Sequence, residues 1–266
     1  MITVFDKCRG SILGLACGDA LGVPAETMSV SEIKNRYGYI RELHPSPPDH
    51  RFPEVRNRPA GTTSDDTQLA LAIMQAIIKN NGIFDMDCIA AEHVLEYERA
   101  YGRGWGRSTR NACERLKNGV RWSKSAEPHG GGNGVIMKIA PLGLESALRE
   151  GSRALLISDA IMTGQMTHGD LAAVAAGVVH AMVIKEIAQK EFGGQSKEKL
   201  LDTLATLILD VAEIVQKDLG DSEQKISREW LRVVSLLKRI PENTSLEEVS
   251  DLFSTNTSRA FYAVDS

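Results

Sequence analysis

The chain has 266 residues, of which 42% are hydrophobic and 25% are charged, proportions that are typical of a soluble globular protein. Lysine and arginine total 31 against 35 aspartate and glutamate, which gives a formal net charge of −4. Because no basic block stands out along the chain, nucleic acid is excluded as a favoured ligand.

Apolar residues recur at three- and four-residue intervals in successive segments, which is the period of a helix with one buried face. In the first segment, 4–22, Phe5, Cys8 and Ile12 share such a face. The further predicted helices span 66–80, 86–101, 107–118, 134–148, 153–165, 170–192, 198–217, 222–239 and 245–253. Strand alternation with hairpin signals and a fixed repeat are both missing from the sequence. We therefore predict an all-α fold, with a single compact many-helix domain over 1–266.

A long segment without helical periodicity, GYIRELHPSPPDHRFPEVRNRPAG, covers residues 38–61. Its prolines remove backbone N–H donors and fix φ, so we predict an ordered or semi-ordered loop. Long loops inside a compact domain often carry function. This loop leads directly into the Ser64-Asp65-Asp66 sequence.

The four cysteines, Cys8, Cys17, Cys88 and Cys113, lie in helical patterns without a CxxC pair or His/Cys ligand spacing, which predicts buried free thiols. The N-terminal MITVFDKCRG lacks the long uncharged core of a secretory signal. No run approaches the roughly 18 consecutive apolar residues that a membrane span needs. We therefore expect a cytoplasmic protein without a membrane partner.

The loop is followed by GTTSDDTQLALAIM, from Gly61 to Met74. One interpretation is an ordinary helix start, with Ser64 or Asp65 as the N-cap and Asp66 as a first-turn residue that suits the helix dipole. The other is that the hydroxyl and the two carboxylates bind a hard divalent cation, since such cations prefer oxygen ligands. The two interpretations are compatible, because ligands at a helix start are held rigidly.

A second segment, LGLACGDALGVPAE, runs from Leu13 to Glu26. Gly22 and Pro24 indicate a helix end. Asp19 lies among small apolar residues, where a carboxylate needs a hydrogen bond, a cation or a proton. Glu26 lies just past the turn and is a loop carboxylate that can act as an acid or a base.

A third segment, EPHGGGNGVIMKIAPLGL, places Gly132, Asn133 and Gly134 ahead of a predicted helix. Without a Cβ in the way, backbone amides there can approach a phosphate or a ribose at the positive end of the helix dipole. The alternative is a flexible turn, since no predicted strand precedes the glycines as in known nucleotide-binding fingerprints.

A fourth segment, MTGQMTHGDLAAV, begins at Met162. Thr167 or Asp170 is a candidate cap for the helix that follows. His168 is then a loop histidine beside the cap, either structural or functional.

In this order the four segments resemble the ADP-ribosylglycohydrolase family of the dinitrogenase reductase-activating type. The resemblance rests on GDALGVPAE, TSDDTQLAL, GNGVIMKIAPLGL and THGD, and it spans nearly the whole chain. It implies an all-α hydrolase that cleaves the N- or O-glycosidic bond between ADP-ribose and a protein side chain, above all arginine. The partner would be an ADP-ribosylated protein or a small ADP-ribose conjugate.

The resemblance also implies a binuclear Mg²⁺ or Mn²⁺ site. The implied metal ligands are Ser64, which replaces the family's usual threonine, Asp65 and Asp66. Glu26 would position or activate the attacking water. The implied contacts to ADP-ribose come from Gly132, Asn133, Gly134 and His168.

The family's remaining metal ligands come from a Gly-Gly-Asp-x-Asp-Thr motif, which is missing from these 266 residues. We therefore expect a C-terminally truncated domain or a relative with half its metal site, in which cation binding and catalysis are impaired. The alternative is a non-catalytic relative that binds ADP-ribose or has a structural, crystallin-like role. Self-association over surface exposed by truncation is a further expectation.

Overall fold

The computed structural model describes residues 2–100, 104–190 and 197–220, together with residues 231, 234 and 235. Its helices are α1 (Val4–Gly22), α2 (Val30–Tyr37), α3 (Asp65–Lys79), α4 (Met86–Ala100), α5 (Arg107–Lys117), α6 (Ala140–Leu148), α7 (Arg153–Gln165), α8 (Leu171–Gln189) and α9 (Lys197–Asp218). Within these described ranges there is no β-strand, and the predicted all-α fold is confirmed. The predicted helix 245–253 and most of 222–239 lie outside the described residues.

Helix α8 lies at the centre of the core, in contact with α6, α7 and α9. Ala175, Ala176 and Val178 are fully buried, because small side chains let the neighbouring helices approach closely. By length and composition alone, with a mean hydropathy of 1.7, α8 would suit a membrane span, but 61% of that window is buried inside the fold. We therefore interpret α8 as a core helix.

The predicted start of helix 134–148 is wrong, since α6 begins at Ala140. Residues 133–138 form hydrogen-bonded turns instead. The physical reason is Pro141 in the first turn of α6, because a proline ring clashes with the carbonyl four residues earlier and therefore begins helices rather than continuing them. The glycine segment, residues 132–134, consequently does not lie at the N-terminus of α6, so the dipole of that helix does not favour an anion there.

Helix α2 was not predicted from the sequence, and none of its residues is buried. A reciprocal capping box begins this helix: the Ser29 N–H donates to Glu32 Oε2 (2.6 Å) and the Glu32 N–H donates to Ser29 Oγ (3.3 Å). Apolar periodicity cannot detect a helix that buries no face, so the Ser-x-x-Glu spacing was the available signal.

The cysteines are free thiols, as predicted, but the prediction that all are buried is wrong for Cys17. Cys17 is exposed on α1, whereas Cys8 and Cys113 are buried and Cys88 is half-buried. The prediction failed because α1 leaves much of its surface uncovered by the described residues. Phe5 and Leu13 on the same helix are exposed as well.

Candidate active site

Asp19, near the end of α1, joins this helix to the start of α3 through hydrogen bonds. Its carboxylate accepts from the N–H (2.9 Å) and Oγ (2.7 Å) of Ser64 and from the N–H (3.2 Å) and Oγ1 (2.6 Å) of Thr67. Backbone N–H groups at a helix start lack intrahelical acceptors. Asp19 was predicted to need a hydrogen bond, a cation or a proton, and the structure shows hydrogen bonds.

We expect Asp19→Ala to lower the free energy of unfolding by about 2–4 kcal/mol, because it leaves several half-buried donors without an acceptor. Urea denaturation followed by circular dichroism measures this loss. Asp6→Ala is the matched control, since Asp6 accepts hydrogen bonds only from neighbouring Thr3 in the exposed cap of α1. The control should change stability much less, and equal losses in the two variants would contradict the bridging role of Asp19.

The Ser64-Asp65-Asp66 sequence is a helix start, with Ser64 as the N-cap of α3. Ser64 Oγ accepts a hydrogen bond from the Asp66 N–H (3.3 Å). The Asp65 side chain is buried, and its Oδ2 accepts from the N–H of Gly106 (3.1 Å), the residue before α5. The N-cap interpretation is therefore confirmed for Ser64, while Asp65 ties α3 to α5.

Glu26 follows a short 3₁₀ turn, Val23–Ala25, in which Pro24 is the second residue. The next residue, Thr27, has a φ of +69°, a left-handed conformation that is unfavourable for a β-branched residue. This sharp bend leaves Glu26 solvent accessible, near the Asp66 carboxylate at the start of α3.

Glu26, Asp65 and Asp66 form one acidic cluster, and the pKa of each is raised. Burial is the largest cause in every case, and neighbouring carboxylates add to it. The pKa of Glu26 rises to about 7, with Asp66 as its strongest charged neighbour. The pKa of Asp65 rises to about 7, and repulsion from Asp66 is the second largest cause after burial. The pKa of Asp66 rises to about 6, and its second largest cause is repulsion from Asp19. Closely spaced negative charge therefore defines this site.

The donor atoms of the acidic cluster suit a hard divalent cation, which prefers carboxylate and hydroxyl oxygens. Ser64 Oγ donates to Asp19 and accepts from Asp66, so one lone pair stays available for a cation. In the part of the chain that the structure describes, however, no group of three or more His, Cys, Asp or Glu side chains has the geometry to hold a metal ion. The oxygen donors are thus of the type that a hard cation prefers, but the described side chains do not form a complete ligand set.

The glycine segment and His168 meet in a second group of residues. Glu127 and His168 form an isolated parallel bridge. A Cβ at Gly134 would lie 2.6 Å from His168 Cε1 and 2.8 Å from its Nε2, so only glycine fits against this imidazole. Asp170, rather than Thr167, is the N-cap of α8. His168 is consequently a buried loop residue beside the cap.

Gly132 and Asn133 precede Gly134 in the same half-buried turn. The Asn133 carbonyl accepts a hydrogen bond from the Met137 N–H (3.2 Å), which closes the turn. The close approach to His168 is made by Gly134. Of the three residues predicted to contact ADP-ribose here, Gly134 is thus the one with a clear steric requirement.

The N-terminus of α5 lies between the acidic cluster and His168. Gly106 donates to Asp65, and Thr109 Oγ1 would stand 3.1 Å from a Cβ at Gly134. Lys138 is fully buried and lies within electrostatic range of both Asp65 and His168. The fold therefore brings segments that are distant in sequence into one region. Sequence reasoning did not single out Lys138, because a lysine in an apolar pattern usually indicates a surface position.

A cavity of about 490 Å³ adjoins the acidic cluster. It is lined by Glu26, Thr27, Met28, Glu32, Asn35, Arg36, Asp49, His50 and Arg51. A larger cavity of about 610 Å³ is lined by residues of α7 to α9 such as Arg153, Lys190 and Asp210. It includes none of the predicted site residues, whereas the smaller cavity is lined by one of them, Glu26, so we take the smaller cavity as the part of the candidate active site beside Glu26.

The all-α fold and the ordered motifs are those of an ADP-ribosylglycohydrolase. The sequence model of the ADP-ribosylglycohydrolase family matches residues 1–264, and the protein belongs to this family. A solved structure described as an ADP-ribosylglycohydrolase-related protein complex aligns with this chain at a TM-score of 0.61 and 24% identity. The alignment covers 100% of this chain and 86% of the chain in that structure. That likeness shows the shared fold.

Several relatives carry names that state an activity, among them a hydrolase and a glycohydrolase. The ADP-ribosylarginine hydrolase Tri1 of Serratia proteamaculans is 28% identical over 170 residues, which are 61% of this chain and 42% of that protein. The ADP-ribosyl-(dinitrogen reductase) glycohydrolase of Rhodospirillum rubrum is 26% identical over 229 residues, 77% of this chain and 74% of that protein. The chain also spans 55% and 59% of the length of relatives from Archaeoglobus fulgidus and Escherichia coli.

Proposed function

We propose that the protein hydrolyses the glycosidic bond between ADP-ribose and an arginine side chain, in a reaction that depends on Mg²⁺ or Mn²⁺. Family membership and the names of the two relatives support the reaction class. The observation that carries the proposal is the convergence of Glu26, from the turn after α1, with Asp65 and Asp66 at the start of α3. A cluster of carboxylates beside a cavity is the arrangement that metal-assisted glycoside hydrolysis needs.

The cation would be held by Ser64, Asp65 and Asp66. When bound, it supplies positive charge that offsets the repulsion among the carboxylates and orients the ribose hydroxyls. Ser64 is suited to this role because Asp19 fixes its hydroxyl at 2.7 Å. A second cation, as in the binuclear site that the family resemblance implies, would need ligands beyond these three.

Glu26 would act on the attacking water. The water oxygen forms a bond to the anomeric carbon of the ribose, and the carbon–nitrogen bond breaks with its electron pair going to the guanidine nitrogen. Glu26 accepts the proton that the water loses, and this proton then returns through solvent to the leaving nitrogen, so that Glu26 is ionised again and free ADP-ribose and arginine result. Because Glu26 is solvent accessible, water can reach it.

The leaving side chain would enter the cavity of about 490 Å³ beside Glu26. Its walls carry three carboxylates, Glu26, Glu32 and Asp49, and two arginines. Arg36 pairs with Asp49 at 2.7 Å, so its charge is already balanced. When Glu26 is ionised, the walls keep an excess of one negative charge, which favours a cationic guanidinium over the neutral side chain of serine.

The direct test is turnover of an ADP-ribosylarginine protein, with ADP-ribosylserine protein as the comparison substrate. We expect release of ADP-ribose from the arginine substrate with Mg²⁺ or Mn²⁺, and loss of release in a chelator. Turnover that persists without metal would contradict the cation's role. Faster release from serine would contradict the assignment of the leaving group.

A second candidate function is ADP-ribose binding without turnover. It is favoured by one observation: the described residues do not by themselves provide a complete metal ligand set. Titration calorimetry separates the two functions, because a non-catalytic binder takes up ADP-ribose but releases none from the modified protein.

A further inference from the structure

A chain of buried hydrogen bonds runs from Lys138 through Thr167 to His168. Lys138 Nζ donates to Thr167 Oγ1 at 2.9 Å, and Thr167 Oγ1 lies 2.8 Å from His168 Nδ1. Lys138 and Thr167 are fully buried, and His168 is 2% exposed. Burying an ammonium group is costly, so this lysine calls for an explanation beyond packing.

The distances determine which way the Thr167 hydroxyl points. A hydroxyl has one proton to donate, and its two possible acceptors here are His168 Nδ1 at 2.8 Å and the Gly164 carbonyl at 3.4 Å. An O–H donor usually lies about 2.5–3.0 Å from its acceptor. Donation of the Thr167 proton to Nδ1 uses the shorter distance, whereas an Nδ1–H donor would leave the hydroxyl only the 3.4 Å contact to the Gly164 carbonyl. The geometry therefore favours donation to Nδ1, while the ammonium of Lys138 fills a lone pair of the hydroxyl.

This direction fixes the tautomer of His168. Burial and the charge of Lys138 lower the pKa of His168 to about 3, so the ring is neutral. In a neutral imidazole, one nitrogen accepts and the other carries the proton. Since Nδ1 accepts from Thr167, the proton is on Nε2, the ring nitrogen that faces Gly134.

We propose that Lys138 and Thr167 are positioning residues that hold His168 as the Nε2–H tautomer, so that it donates a hydrogen bond to a phosphate or ribose oxygen of ADP-ribose at the glycine segment. The identity of the ligand rests on the proposed function. The tautomer itself does not, because it follows from the hydrogen bonds of the protein alone. A purely structural role for Lys138, as a counter-charge to Asp65, would leave the tautomer unaffected.

Long-range ¹H–¹⁵N NMR of the ligand-free protein tests the tautomer, with the His168 signals assigned by their loss in His168→Gln. We expect the Nε2–H form in the native protein and in Thr167→Ser, which keeps the hydroxyl. Thr167→Val and Lys138→Met should shift the ring toward a mixture of tautomers. Lys185→Met is the matched control, because Lys185 is also buried but donates to the Gly151 carbonyl. An Nδ1–H tautomer in the native protein would overturn the proposal.

Calorimetry with ADP-ribose then measures the consequence for binding. We expect about tenfold weaker binding in Thr167→Val and in Lys138→Met, the effect of one impaired hydrogen bond, and no change in Thr167→Ser or Lys185→Met. Equal affinity in Thr167→Val and Thr167→Ser would contradict the positioning role. If native protein with the Nε2–H tautomer does not bind ADP-ribose, the proposed function fails while the assignment of the tautomer stands.

Discussion

Replacing Asp66 by asparagine is expected to lower kcat/KM for ADP-ribosylarginine protein by roughly 100- to 1000-fold. A carboxylate that contacts a catalytic cation contributes several kcal/mol, and each 1.4 kcal/mol corresponds to a tenfold change in rate. Asparagine keeps the shape of the side chain and leaves the Ser64 cap, which uses the Asp66 backbone, in place. The loss therefore reports on charge at the metal site and not on folding.

The same substitution should have the opposite effect on stability. Because the pKa of Asp66 in the folded protein is raised to about 6, its ionised form opposes folding above that pH, and this penalty fades as the pH falls toward 4. Asp66→Asn should consequently raise the free energy of unfolding of the metal-free protein by about 1–3 kcal/mol at pH 8. Chemical denaturation in a chelator measures this gain.

Asp87→Asn is the matched control for Asp66→Asn. Asp87 is an exposed acidic residue in the first turn of α4, as Asp66 is in the first turn of α3. It lies outside the acidic cluster, so we expect neither a loss of turnover nor a gain in stability. If Asp66→Asn keeps native turnover, the acidic cluster does not hold the catalytic cation.

The sequence predicts most of the helices because their apolar period is set by local residue order. It fails for α2, which buries no residue, and for the start of α6, which Pro141 places later than the flanking apolar residues suggest. Both failures have local signals, a capping box and a proline. Helix bounds are therefore decided by caps and breakers more than by periodicity.

The candidate site is harder to predict, because it depends on contacts between distant segments. The sequence indicates that Asp19 needs a partner, but not that Ser64 and Thr67 provide it. Lys138 and Thr167 are 29 positions apart, and neither residue has a pattern that indicates pairing. The sequence segments supplied Glu26 and His168 as candidates and the family resemblance implied their roles, whereas their surroundings follow only from the fold.

Gly134→Ala is expected to weaken ADP-ribose binding at least about 100-fold. The new methyl group would lie 2.6 Å from His168 Cε1 and 3.1 Å from Thr109 Oγ1, well inside ordinary contact distance. Thr167 holds the imidazole at 2.8 Å, so the ring cannot turn aside without losing that hydrogen bond. We expect a loss of stability of about 1–3 kcal/mol, as for other overpacked sites, measured by urea denaturation beside calorimetry with ADP-ribose.

Gly14→Ala and a double variant separate the steric effect from a general effect of the substitution. Gly14 is exposed on α1, and an added Cβ there meets nothing within 4 Å, so alanine should stabilise this helix slightly. Combining Gly134→Ala with His168→Ala removes the ring that the methyl group strikes. Because residues in contact are not additive, the double variant should regain part of the stability that Gly134→Ala loses, but not the affinity for ADP-ribose. Recovery of binding would mean that His168 obstructs the ligand instead of contacting it.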